Sequence, residues 1–212
     1  MTHERSGVPV LRRLTGTDAL ALRDRLVETY AAVFCAPPWN DPPERAARFG
    51  ELLSGWARMP GFVAVLAEAD GTAEVGGASE VGGMAAVGGM AEAGGATGSG
   101  GYGGAVRGFA LGLTTPAPFP TDRAYGQVRR LLGPAAETLP GWLEVAELAV
   151  RPAARRSGLG RRLLAALTGE RPAWLLTVPQ VAGTTDFYDA VGWIRHGTGY
   201  GITLYTNQPL PR

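Results

Sequence analysis

Leu148-Ala149-Val150-Arg151-Pro152-Ala153-Ala154-Arg155-Arg156-Ser157-Gly158-Leu159-Gly160-Arg161-Arg162-Leu163-Leu164 is the stretch on which the fold of this chain turns. An apolar run ending at Val150 reads as a buried strand, and the apolar spacing from Leu159 reads as a helix with a glycine-rich first turn. Arg155, Arg156, Arg161 and Arg162 flank that turn. The first amides of a helix have no partner within it and carry the positive end of its dipole, so they bind anions. Gly158 and Gly160 would let a phosphate approach the backbone closely, and the arrangement suits a diphosphate. It is not a Walker loop, which needs a lysine and another glycine spacing: every one of the 20 basic residues here is arginine. The same letters also admit a structural reading, in which the glycines allow tight helix packing and the arginines form a solvated face.

C-terminal to this stretch, periodicity predicts a helix over 158–168, a strand over 174–178, a helix over 185–191 ended by Gly192, and strand residues over 193–206 with a break near Gly199. The third of these carries Asp186-Phe187-Tyr188-Asp189-Ala190-Val191-Gly192-Trp193. Arg155-x-x-Gly158-x-Gly160 resembles the acetyl-CoA signature of the GCN5-related N-acetyltransferase superfamily, and the second element resembles that family's FYxxxGF. The matched region is 142–193. The resemblance implies acetyl-CoA as cosubstrate. Its diphosphate would lie along Arg155, Arg156, Ser157, Gly158, Leu159, Gly160 and Arg161. Oxyanion-stabilising amides would come from Leu148, Ala149 and Val150, on a strand that splays from its neighbour.

Acetyl transfer from a thioester to an amine needs a neutral nucleophile, a stabilised oxyanion and a protonated thiol. Tyr188 is the expected thiol donor, its alternative being a core aromatic of an amphipathic helix. For the base there are Glu144 and Glu147, charged residues on a mostly buried strand. Three apart, they face opposite sides if the strand is regular, whereas a bulge would change the parity. Glu144 falls where histone-modifying members of the family place a catalytic glutamate, and Glu147 where small-molecule members are often acidic. Glu144 is preferred, with Glu147 next and a water relay as the third option. His196 has a suitable intrinsic pKa but reads as structural. Many members also carry an Asn ahead of the tyrosine. Here 178–184 contains none, and Gln180, Thr184 or backbone alone would hold the pantetheine arm.

N-terminal to the signature, a strand around 8–14 is followed by two amphipathic helices, one through Leu22, Leu26, Tyr30, Val33 and Phe34, the other through Phe49, Leu52, Leu53 and Trp56. Strands over 61–67 and 106–113 then suggest an antiparallel hairpin. Between them, residues 71–104 carry a Gly-Gly pair recurring every six residues at Gly76, Gly82, Gly88, Gly94 and Gly100. Paired glycines maximise the entropy cost of ordering, so this segment reads as a flexible low-complexity insertion rather than a β-helix. A helix over 122–132 follows a proline-rich loop. The expected fold is α/β, a mixed central sheet flanked by helices, in one domain over 1–212. In the related superfamily the turn between the first helices shapes the acceptor site. Here that turn offers Trp39 as an aromatic wall and Asp41 as an anion for an ammonium, Asp41 being equally readable as a helix cap.

A formal net charge of +1 gives no electrostatic basis for nucleic-acid binding. With no lysine, Schiff-base chemistry is excluded. Cys35 is alone and the only histidines are His3 and His196, so a metal-centred mechanism is not expected, nor a covalent relay through Cys35. No apolar run is long enough to span a membrane, and a cytoplasmic protein without membrane partners is expected. The expected activity is direct acetyl transfer to a primary amine, on a small molecule or a protein. A non-catalytic acyl-CoA-binding or regulatory module of the same fold is the alternative, and a scaffold working through the glycine repeat is a third. The resemblance also admits a homodimer, because closing strands in that superfamily often pair between subunits.

Overall fold

Seven strands form within residues 8–69, 104–122 and 124–211, the residues described in the computed structural model, most of them buried along nearly their whole length. In chain order these residues form β1 (Val10–Leu14), α1 (Gly16–Ala21), α2 (Arg23–Phe34), α3 (Glu44–Trp56), β2 (Val63–Glu68), β3 (Val106–Thr114), α4 (Tyr125–Leu132), β4 (Leu143–Val150), α5 (Leu159–Thr168), β5 (Ala173–Thr177), α6 (Thr184–Ala190), β6 (Ile194–Gly199) and β7 (Ile202–Thr206). They make one sheet in the order β1-β2-β3-β4-β5-β7-β6. Only β4 and β5 pair in parallel. This is the mixed α/β sheet flanked by helices that the sequence predicts.

Three helices, not two, precede β2. The additional one, α1, is started by a capping box: the Asp18 amide donates to Thr15 Oγ1 (3.1 Å) and the Thr15 amide to the Asp18 carboxylate (2.9 Å). At 6 residues it is too short for apolar periodicity to reveal. The β2–β3 pairing runs antiparallel out to Glu68 opposite Val106, so the residues between them join two sheet neighbours. Of the expected flexible insertion over 71–104, all but Gly104 lies outside the described residues.

The sheet separates two apolar layers. On one face, Leu26, Tyr30 and Phe34 of α2 and Phe49 and Leu53 of α3 pack on Phe109, Leu111 and Leu113 of β3. On the other, Leu159, Leu163 and Leu167 of α5 pack on Val65, Ala110, Val145, Leu175 and Tyr205. Each leucine so buried contributes about 2 kcal/mol from area removed from water. A third cluster under α4 is centred on Phe119 and Trp174, and the Trp174 indole donates to Thr115 Oγ1 (2.7 Å). No helix among the described residues is long and apolar enough to cross a membrane.

Two irregularities in β4 position the site. Its parallel pairing with β5 ends at Val145 opposite Leu175, after three residue pairs. Against β3, Val145 faces Gly112 and Glu147 faces Leu111, which leaves Ala146 as a bulge.

Candidate active site

Beyond Val145 the two strands part, and a cleft of about 860 Å³ runs through the sheet from one face to the other. From the α2 and α3 face it is bordered by Tyr30, Phe34, Trp39, Asp41 and Arg45. The opposite face contributes Arg155, Arg156, Gly158, Leu159, Gly160 and Arg161 around the start of α5, with Gly183, Thr184, Phe187 and Tyr188 of the α6 region. Backbone direction follows from hydrogen bonding. The Arg151 amide donates to the Arg107 carbonyl beside β3 (2.9 Å), and strand alternation then turns the amides of Ala149 and Glu147 toward β3 and those of Leu148 and Val150 into the gap. The Val150 carbonyl, on the gap side, accepts from Arg155 Nε (3.2 Å).

The turn into α5 is strained where the cleft needs it. Arg156 (φ 63°) and Gly158 (φ 79°) both lie in the left-handed region, a conformation costing an ordinary residue roughly 1–2 kcal/mol. Gly158 caps α5 with no side-chain hydrogen bond, and the first helical bond is Arg162 N–H to Gly158 O (3.1 Å). The amides of Leu159, Gly160 and Arg161 are thus free of helical partners beside three arginines. A Cβ on Gly158 would meet nothing within 4 Å, so space is open there. This cradle fits a diphosphate. Gly160 borders the cleft and also has a packing role: a Cβ there would lie 3.1 Å from the Phe187 ring, so its missing side chain lets α5 pack against α6. Arg161 reinforces that contact by donating to the Ala190 carbonyl (2.9 Å).

Because of the bulge, Glu144 and Glu147 oppose Leu113 and Leu111 and so share a face, which corrects the opposite-face expectation for a regular strand. They nevertheless go to different places. Glu147 lines the cleft. Glu144 does not, and its carboxylate accepts a hydrogen bond from the Tyr125 hydroxyl of α4, beside Trp174. Across the gap, Tyr188 is held among Phe187 (5.1 Å between ring centroids), Tyr205 (5.3 Å) and Trp193 (6.2 Å). Burial, then the negative charge of Glu147, pushes the Tyr188 phenol up, which keeps it protonated far into the alkaline range.

Among the other anticipated residues, Ala149 lies on the same strand face as Glu147 but is fully buried in the α2 and α3 layer beside Phe109. Ser157 does not border the cleft, its hydroxyl donating to the Ala154 carbonyl (2.7 Å). Trp39 and Asp41 both line it. The N-cap of α3 is Pro43, with no side-chain hydrogen bond, so Asp41 does not cap that helix. Thr184 borders the cleft with its hydroxyl donated to the Val181 carbonyl (2.9 Å), whereas Gln180 is exposed outside it. Cys35 is absent from the lining, and His196 on β6 contacts Thr206 Oγ1 (2.7 Å) away from the cleft. Among the described residues, no three His, Cys, Asp or Glu side chains are grouped as metal ligands. Sequence reasoning read Tyr30 and Phe34 only as helix-core positions and passed over Arg45. Nothing in a helical repeat distinguishes a core aromatic from one that borders a cleft.

No protein-family model matches the chain, and no curated protein does. Solved structures do. The PaiA N-acetyltransferase from Thermoplasma acidophilum, solved in complex with coenzyme A, is 12% identical over 96% of this chain and 100% of that one, with a TM-score of 0.54. An acetyltransferase of the GNAT family from Listeria monocytogenes is 13% identical over 93% of each chain, with a TM-score of 0.52. The splayed β4–β5 pair, the bulged strand and the helix start at Gly158 thus occur in a chain with the fold of the GCN5-related N-acetyltransferases.

Proposed function

We propose that this chain is an acetyl-CoA-dependent N-acetyltransferase that moves an acetyl group directly to a primary amine. The observation that carries the reading is the gap between β4 and β5, which brings the Gly158 helix start, Glu147 and Tyr188 to one cleft. Bound acetyl-CoA would supply an activated acetyl thioester. Arg155, Arg156, Arg161 and the unpartnered amides at the start of α5 would hold its diphosphate, and Thr184 would border the pantetheine path. Glu147 is the base that takes a proton from the incoming ammonium. The Leu148 amide, aimed into the gap, stabilises negative charge on the acetyl oxygen. Tyr188 gives its proton to the departing sulfur as the carbon–sulfur bond breaks, and the proton released from the new amide nitrogen restores the phenol. Residues 1–212 form one such domain, with 71–104 an insertion between β2 and β3.

Isothermal titration tests the reading. Acetyl-CoA and desulfo-CoA are expected to bind in the micromolar range and ATP far more weakly, because ATP lacks the pantetheine arm that fills the gap. A folded sample that ignores acetyl-CoA would overturn it. Tyr188→Phe is expected to lower kcat by about 100-fold with little change in acetyl-CoA affinity, as for loss of a general acid. The raised pKa fixes the sign of the pH dependence. Loss of the phenol proton requires a pH above the ordinary tyrosine value of about 10, so the rate should show no alkaline decline from this group below that pH. A decline near pH 8 that disappears in Tyr188→Phe would contradict this assignment.

A further inference from the structure

The two ends of the cleft are electrostatically unlike. Around α5 and α6 its lining carries Arg155, Arg156 and Arg161 against Asp186, whereas toward α2 and α3 it carries Asp41 and Glu147 against Arg45. The second end is also aromatic. Phe34 meets Trp39 edge-on at 5.2 Å, Tyr30 lies 4.5 Å from Phe34, and Phe49 stacks behind Tyr30 at 4.4 Å. The turn carrying Trp39 and Asp41 is preformed. The Trp39 and Asn40 amides donate to the Ala36 carbonyl (3.1 Å each) and the Asp41 amide to the Phe34 carbonyl (2.8 Å), with Asn40 in the left-handed region (φ 51°).

Tyr30 is the unexplained member. It is only 6% exposed and borders the cleft, and its hydroxyl has no hydrogen-bond partner among the described residues. That hydroxyl is not one of the buried orphan polar atoms, so it reaches the open cleft, where it can bond to a bound group. Glu147 and Asp41 lie near enough to push its ionisation up, after burial itself. Three oxygens, from Tyr30, Asp41 and Glu147, therefore face one aromatic-walled space, matching the three N–H donors of a primary ammonium.

Building on the acetyltransferase reading, we propose that the acceptor is a monocationic primary amine with a planar apolar body, its ammonium held by Tyr30, Asp41 and Glu147 and its body against Phe34 and Trp39. A polycation fits poorly. Among the described residues only two carboxylates line this end, and a second ammonium would meet Arg45 on one side or the arginines of α5 on the other. Tyr30 is thus a further acceptor-binding residue, acting on the amine and not on acetyl-CoA.

The test is calorimetric titration of the full chain, saturated with desulfo-CoA, with 2-phenylethylamine, n-butylamine and spermidine, repeated for Tyr30→Phe and Trp39→Ala. Phenylethylamine is expected to bind at least tenfold tighter than the other two. Tyr30→Phe should weaken it about tenfold, the loss of one charge-assisted hydrogen bond, and Trp39→Ala by several-fold, each leaving acetyl-CoA affinity unchanged. Tighter binding of spermidine, or an amine affinity indifferent to Tyr30→Phe, with acetyl-CoA still bound, overturns this proposal and leaves the acetyltransferase reading standing. Failure of acetyl-CoA itself to bind overturns both.

Discussion

Replacing Glu147 by glutamine is expected to lower kcat by about 100-fold at neutral pH while leaving acetyl-CoA affinity within about a factor of two, the size expected for loss of a general base. The expectation rests on where the bulge at Ala146 sends this side chain. It borders the cleft, and its charge acts on both Tyr30 and Tyr188, which line the same cleft. Glutamine keeps the shape and removes the basicity, so a fold defect and a chemical defect are separable by thermal melting. Glu144→Gln is the paired control. Its carboxylate accepts from the Tyr125 hydroxyl away from the cleft, so the change should cost stability of about 1 kcal/mol and only a few-fold in rate. A Glu144→Gln variant that loses more activity than Glu147→Gln would return the base to the position the family pattern alone favours.

Gly160→Asp is expected to weaken acetyl-CoA binding by about 100-fold, and Gly160→Ala by only a few-fold. Alanine isolates the packing contribution. Its Cβ would stand 3.1 Å from the Phe187 ring, which must shift by a few tenths of an ångström and carries Tyr188 with it through their edge contact. A modest drop in melting temperature, corresponding to about 1 kcal/mol, should accompany that strain. Aspartate adds a negative charge in the first turn of α5, where the diphosphate would lie; like-charge repulsion of on the order of 2–3 kcal/mol accounts for the remaining loss. The difference between the two variants should shrink as salt rises, since partly exposed charges are screened. Equal titration curves for both would mean that the cradle holds no phosphate.

Much of this was legible in the chain itself. The strand at Leu143–Val150, the helix start at Gly158, the β2–β3 hairpin and Tyr188 on its short helix all follow from local periodicity and spacing, because strands and helices write their repeat into consecutive residues. α1 did not, since a capping box on 6 residues leaves no periodic trace. Nor did the role of Gly160. A glycine that admits a phosphate and one that makes room for a neighbouring ring are the same letter, and the 3.1 Å approach of Phe187 becomes visible only in the fold.

The sequence by itself determined which side chains share an element and which glycine turn could bind an anion. Only the tertiary structure shows which of Glu144 and Glu147 borders the cleft, through one unpaired residue: Ala146 bulges against β3, both glutamates come to one face, and the loss of β5 as a neighbour beyond Val145 opens the gap beside Glu147 alone. The same holds for Tyr30, a core position by helical spacing that becomes a polar group facing a cleft. The physical reason is common to both cases. Register and strand separation are set by how whole layers pack across the sheet, so they depend on contacts between residues far apart in the chain.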